Sequence, residues 1–229
     1  MAALPSPDAA RARRALLVGA TGLIGGALLP MLLEGDGYAR VTVLARSARA
    51  AASPRLDWRV VDFDRLPKPF PAVDDVYVAL GTTIAVAGSE AAFRHVDHDI
   101  VVAVAQAARD AGAERLGVVS ALGADPRSRV FYNRVKGDME LAVARMGYRV
   151  LVIAQPSLLL GDRAALGQPI RRGEALAARF LAPVMGLVPK AIRPIAATTV
   201  ARALAQTVPS APPGVHRLTS AQMQTHARS

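Results

Sequence analysis

Ala15-Leu16-Leu17-Val18-Gly19-Ala20-Thr21-Gly22-Leu23-Ile24-Gly25 is the stretch on which the fold turns. Four uncharged apolar residues read as a buried strand. Gly19 opens a tight turn, and an apolar helix follows from Thr21 or Gly22 to about Leu33, ended by Gly35–Gly37. The glycines stand at GxxGxxG spacing. Gly19 permits the turn, Gly22 lets a ligand approach the backbone, and Gly25 lets helix and strand pack closely. A helix that starts here offers unpaired N–H groups and the positive end of its dipole, which suits a phosphate. Hydropathy alone gives another reading, because Ala15 to Leu33 is a run of 19 uncharged residues preceded by Arg11, Arg13 and Arg14. Such a run resembles a signal peptide or a membrane anchor. The glycines and Pro30 divide it instead into strand, turn and helix, so no membrane span is expected.

Outward from this unit the chain alternates. Apolar runs at Val41–Leu44, Trp58–Val61, Val76–Leu80, Leu116–Val119 and Val150–Ala154 read as strands buried on both faces. Helical patterns run from Glu90 to Ala111, stopped by Gly112, and from Phe131 to Met146, stopped by Gly147. Strands alternating with helices predict an α/β fold, a doubly wound parallel sheet in a single domain. Residues 1–13 read as a loose arm and residues 14–229 as the domain. Past Pro156 the pattern loosens into loops and short helices, and a substrate region is expected there, over the carboxyl ends of the strands. The apolar segment from Phe180 to Pro189 reads either as a substrate lid or as a packed loop.

Composition excludes several classes. There is no cysteine, so disulfides, thiolate metal sites and cysteine nucleophiles are out. A reducing cytoplasm is the expected location. The four histidines form no metal-ligand pattern; His95 and His98 bracket Asp97 on a helix face, and no metal is expected there. The net charge of +10 comes from 25 arginines and three lysines spread along the chain, with few aromatics between them. That spread argues against specific nucleic-acid binding and for a phosphate-rich small molecule.

Two further motifs carry chemistry. At the end of the second strand stands Leu44-Ala45-Arg46-Ser47, where a site for NAD would place an acid against the ribose 2′-hydroxyl. Arg46 suits a 2′-phosphate instead, so the expected cofactor is NADP, as NADPH or its oxidised form. Tyr132 and Lys136 form a YxxxK at the start of a helix, four residues apart on one face. An ammonium beside a phenol favours the phenolate and makes the pair a proton donor and acceptor for a carbonyl. Ser120 ends the fifth strand, placed to hydrogen-bond the same oxygen. Taken singly, Ser120 also reads as a strand-end hydrogen bonder and Tyr132 as a packed helix residue.

The glycine motif, the strand-end serine and the YxxxK together resemble the short-chain dehydrogenase/reductase superfamily. Ala79-Leu80-Gly81-Thr82-Thr83, Phe93-Arg94-His95-Val96-Asp97 and Val135-Lys136-Gly137 resemble its atypical branch, typified by the Tat-interacting-protein-like oxidoreductases. The resemblance implies that Gly19, Thr21, Gly22, Leu23 and Ile24 line the pyrophosphate and that Arg46 holds the 2′-phosphate. Asp62 and Phe63 would flank adenine, and Leu80, Gly81 and Thr82 would border the adenosine ribose and phosphates. Pro156, Ser157 and Leu158 would meet the nicotinamide carboxamide. Ser120 and Tyr132 would address the substrate carbonyl, and Lys136 the nicotinamide ribose. The chain departs from the pattern at Asp97, where many relatives carry an asparagine that supports the lysine through a water. The expected activity is hydride transfer to or from a carbonyl or alcohol, with a small-molecule substrate. A sugar-nucleotide epimerase and a non-catalytic NADP(H) sensor or assembly factor are the alternatives, and monomer and homodimer are both open.

Overall fold

Arg13–Val18 forms β1, whose residues 15–18 are fully buried, and Leu23–Glu34 forms α1. The computed structural model describes residues 13–50, 53–160 and 192–226. The apolar run from Ala15 to Leu33 is therefore two elements with a turn between them. Among the described residues no helix is long and apolar enough to cross a membrane. The segment from Phe180 to Pro189 and residues 1–12 of the expected arm lie outside the described residues.

The strands that follow are β2 (Tyr38–Ala45), β3 (Leu56–Val60), β4 (Asp75–Val78), β5 (Arg115–Val119) and β6 (Val150–Gln155). Together with β9 (Gly214–Thr219) they make one seven-stranded sheet in the order β3-β2-β1-β4-β5-β6-β9, parallel at every pairing. A short parallel pair, β7 (Leu159–Leu160) and β8 (Ile195–Ala196), stands apart. The chain winds outward from β1 to β3, then crosses to β4 on the other side of β1. This reversal opens a crevice at the carboxyl ends of β1 and β4.

Helices cover both faces. Alternation along β1 sends Leu17 to one side, with Leu28 and Leu32 of α1 and with Val200, Leu204 and Val208 of α6 (Ala197–Ser210). Leu16 and Val18 face the other side, with Val101, Val104 and Ala108 of α4 (Ile100–Asp110) and with Met139 and Val143 of α5 (Phe131–Ala144). At the amino ends of β1, β2 and β4 lies a buried polar knot. Asp75 accepts from Tyr38 and is paired with Arg13, and the Tyr38 and Tyr77 hydroxyls are 2.7 Å apart. Burial drives both phenols upward from their ordinary range.

Two parts differ from the sequence expectation. The loops and short helices expected after Pro156 are, over residues 197–226, the 14-residue α6, the sheet strand β9 and α7 (Ser220–His226). β9 is an edge strand with one buried residue, Leu218, so it lacks the continuous apolar run that marks the other strands. The single helix expected from Glu90 to Ala111 is α3 (Glu90–Arg94), a π-helical turn (His95–Asp99) and α4. A four-residue helix, α2 (Ile84–Ala87), precedes it.

Gly25 is where α1 touches the glycine turn. A Cβ there would lie 2.1 Å from the Gly19 carbonyl oxygen, whereas one on Gly26 would sit at an ordinary 3.5 Å from Ala20. Gly25→Ala is therefore expected to destabilise the fold by about 1–3 kcal/mol, the usual cost of overpacking. Gly26→Ala is expected to be neutral or to stabilise by up to about 1 kcal/mol through helix propensity. Thermal melts of the two variants check the contrast.

Candidate functional site

The site begins at the turn between β1 and α1. Gly19 has φ +92°, a left-handed conformation that favours glycine, and a Cβ there would meet the Ala79 carbonyl oxygen at 2.5 Å. The turn is closed by the Gly22 N–H donating to the Gly19 carbonyl at 2.9 Å. Gly22 is the N-cap residue of α1. No side chain caps the helix, and no acid stands in its first turn. The first N–H groups of α1 thus point into the crevice without a negative charge on the helix beside them. Ile24 is 5% exposed and Leu23 packs on the same core, so these two face the crevice with backbone only.

Arg46, Asp62 and Phe63 line one cavity of about 240 Å³, as the sequence reading places them, together with Asp64 and His95. Arg46 follows the end of β2 and makes no ion pair or hydrogen bond among the described residues. Two acids share its cavity but are engaged elsewhere. Asp62 accepts the Asp64 N–H at 3.0 Å, and Asp64 lies 2.9 Å from His95 Nε2. A free guanidinium at one end, a ring and aliphatic walls from Val61, Val96 and Ile100 suit an adenine nucleotide. An uncharged cradle at Gly22 and this cavity on the same sheet edge fit the phosphate and adenosine parts of a dinucleotide.

Leu80, Gly81 and Thr82 follow β4 directly, beside the glycine turn. The Thr82 N–H donates to Asp97 Oδ2 at 2.9 Å. Asp97 is fully buried, and its Oδ1 lies 2.8 Å from Lys136 Nζ, itself 2% exposed. Lys136 also donates to the Val119 carbonyl at 3.4 Å, one residue before Ser120. Ser120 is 3% exposed, and its Oγ has no hydrogen-bond partner among the described residues. Tyr132 is half-buried on the first turn of α5. Its ring packs on Phe93, centroids 5.2 Å apart, and its hydroxyl has no partner among the described residues. Gly137 lets α5 press on the loop that follows β5, since a Cβ there would lie 2.2 Å from Asp125 and Pro126 backbone.

Past β6, Pro156 holds the β5 loop through the Leu122 N–H at 2.8 Å. The Ser157 hydroxyl donates to the Arg193 carbonyl at 2.5 Å and meets Ser220 Oγ at 2.9 Å. Its hydroxyl thus ties the loop to α7, and what Ser157 offers a ligand is backbone. Leu158 is exposed, and its carbonyl accepts from Ile195.

Sequence reasoning missed Asp64 and His95 at the cavity and the direct Asp97–Lys136 pair. The second had a signal. Phe93, Asp97 and Val101 are spaced by four and are all buried, so an acid stands on an apolar stripe.

The chain is similar to several known proteins. Residues 19–149 match the family described as NAD(P)H-binding. A relative from Eremothecium gossypii, "Protein FMP52, mitochondrial", is 39% identical over 65% of this chain and 67% of its own length. Another of that name from Emericella nidulans is 33% identical over 77% and 78%. Among solved structures, MoeE5 in complex with UDP-glucose and NAD superposes with a TM-score of 0.67 at 18% identity, covering 90% of this chain and 76% of that one. The relatives' mitochondrial names overturn the expectation of a cytoplasmic chain. A lack of cysteine fits any reducing compartment and does not choose between them. The glycine turn, the cavity beside it and the match over residues 19–149 lead to one conclusion: this chain belongs to the NAD(P)H-binding family, on a Rossmann-type sheet.

Proposed function

We propose that the chain is an NADP(H)-dependent oxidoreductase of the short-chain dehydrogenase/reductase type, in the atypical branch its motifs resemble. The observation that carries this reading is the buried Ser120 hydroxyl just past β5, without a partner among the described residues and next to the strand residue whose carbonyl holds Lys136. A buried polar atom without a partner costs roughly 1–3 kcal/mol, which a ligand oxygen in its place offsets. The bound cofactor supplies or takes up the hydride at its nicotinamide ring.

The protein's own residues do the rest. The first N–H groups of α1, at Gly22, Leu23 and Ile24, with Gly19 and Thr21 in the turn, hold the pyrophosphate. Arg46 pairs with the 2′-phosphate, and Asp62 and Phe63 flank adenine. Leu80, Gly81 and Thr82 border the ribose and phosphates, and the 156–158 backbone meets the carboxamide. Ser120 donates to the substrate oxygen and Tyr132 exchanges the proton with it. Lys136 holds the nicotinamide ribose and supports Tyr132. The substrate, a carbonyl compound or alcohol, enters over the carboxyl ends of the strands, toward the region past residue 156.

Two measurements test this reading. Calorimetry is expected to give at least about tenfold tighter binding of NADPH than of NADH, worth about 1.4 kcal/mol. Arg46→Ala is expected to erase the difference, and equal affinities in the wild type contradict the Arg46 assignment. A screen of carbonyl compounds by loss of NADPH absorbance then supplies a substrate. With it, Tyr132→Phe is expected to lower turnover by about two to four orders of magnitude while NADPH binding persists. Unchanged turnover removes Tyr132 from the reaction.

A further inference from the structure

The loops at the carboxyl edge of the sheet are short of charge. Residues 79–89 past β4, 120–124 past β5 and 156–160 past β6 hold no charged side chain. They expose large apolar ones instead. Leu122 is 41% exposed, Leu158 45%, and Ile192, three residues before β8, 58%. Backbone contacts join these three positions. The Leu122 N–H donates to the Pro156 carbonyl at 2.8 Å, the Leu158 carbonyl accepts from the Ile195 N–H at 2.9 Å, and the Ser157 hydroxyl donates to the Arg193 carbonyl. Ser120 belongs to the same stitching, since its N–H donates to the Ala154 carbonyl at 2.7 Å. On the other side of the β5 loop, the Asp125 N–H donates to the carbonyl of Asn133, the neighbour of Tyr132, at 3.0 Å. Charge begins beyond these positions, and much of it is engaged. Asp125 accepts the Arg127 N–H, Arg134 donates to the Ser128 carbonyl, and Arg193 has partners of its own.

A lone exposed leucine is ordinary, whereas several apolar side chains joined beside one buried hydroxyl mark a binding surface. We propose that Leu122, Leu158 and Ile192 form the substrate wall beside Ser120, and that the substrate is an apolar carbonyl compound or alcohol with a hydrocarbon chain or ring next to the reacting carbon. The inference rests on the oxidoreductase reading for the chemistry at Ser120 and adds the substrate class. Reduction forms a C–H bond with the hydride from the cofactor and an O–H bond with the proton from Tyr132, which water replaces; oxidation is the reverse. A sugar nucleotide would set hydroxyls and a diphosphate against this wall, where they lose their hydrogen bonds to water without replacement. The Ser120 hydroxyl favours a small molecule as the occupant. A second copy of the chain or a lipid surface covers exposed side chains without reaching a group that is 3% exposed.

Calorimetric titration of the NADPH-loaded chain with 1-butanol, 1-hexanol and 1-octanol tests the wall, because an alcohol cannot react with reduced cofactor. Affinity is expected to rise about two- to fourfold per methylene, as it does when a CH₂ group leaves water. UDP-glucose is expected to bind more weakly than 1-octanol. Leu122→Asn and Ile192→Asn are each expected to weaken 1-octanol by about three- to tenfold, the worth of an apolar side chain, with NADPH affinity unchanged. Both positions are exposed, so folding is expected to survive. Val215→Asn is the control. Val215 is 48% exposed but pairs with Leu151 near the start of β6, at the opposite edge of the sheet. A flat alcohol series, tighter binding of UDP-glucose, or variants indistinguishable from the control overturns the proposal. So does a change of sedimentation in Leu122→Asn or Ile192→Asn with 1-octanol affinity intact, which makes the patch a contact between copies. A wild-type chain that fails to bind NADPH overturns the oxidoreductase reading instead, and the same alcohol series on the bare chain and its variants then decides the wall alone.

Discussion

The contact on which the rest of the structure depends is backbone against backbone, where Gly19, Gly25 and Ala79 meet. Gly19 turns the chain in a left-handed conformation that brings its Cα against the Ala79 carbonyl, and Gly25 lets α1 lie on that turn. No side chain fits at either glycine. This approach presses β1, α1 and the loop after β4 together at the point where strand order reverses, and it aims the amino end of α1 into the crevice. The cavity at Arg46, the Thr82 N–H and the Ser120 hydroxyl all lie on the carboxyl edge of the sheet that this contact organises.

Beside it, the buried Asp97–Lys136 pair joins three elements: the β4 loop, the π turn and α5. Removing either partner alone would leave a buried charge uncompensated, at a cost of about 3–5 kcal/mol. An acid where the resemblance leads one to expect an asparagine therefore changes the electrostatics of the site as well as its hydrogen bonding. The π turn is the backbone adjustment that accompanies it. Ile100 N–H bonds to the His95 carbonyl five residues back, with Asp97 directed inward and His95 directed out to Asp64.

The frame was legible in the sequence wherever burial on both faces leaves an uninterrupted apolar run, as in Leu16–Val18 or Val150–Ala154. The glycine turn was legible because steric demand permits almost nothing else there. α6 and β9 were not, because an edge strand with a single buried residue carries no such run. Their trace was Gly117 in the middle of β5, where a Cβ would strike Val208 of α6 at 2.6 Å. The π turn left no trace, since Phe93, Asp97 and Val101 keep the spacing of an ordinary helix. At the site, Arg46, Asp62 and Phe63 share a cavity, whereas the Ser157 hydroxyl, in the loop expected to meet the carboxamide, is committed to Arg193 and Ser220. Pairings of that kind depend on contacts between residues far apart in sequence.

The central proposal is that NADPH binds along the carboxyl edge of the sheet, from the cavity at Arg46 to the loop after β6. Hydrogen–deuterium exchange with and without NADPH tests it most directly. The account predicts slowed exchange at the amide groups of residues 19–24, 46–47, 62–63, 80–82 and 157–158, with the amino ends of β1, β2 and β4 unchanged. Protection confined to other segments, or none at saturating NADPH, would contradict it.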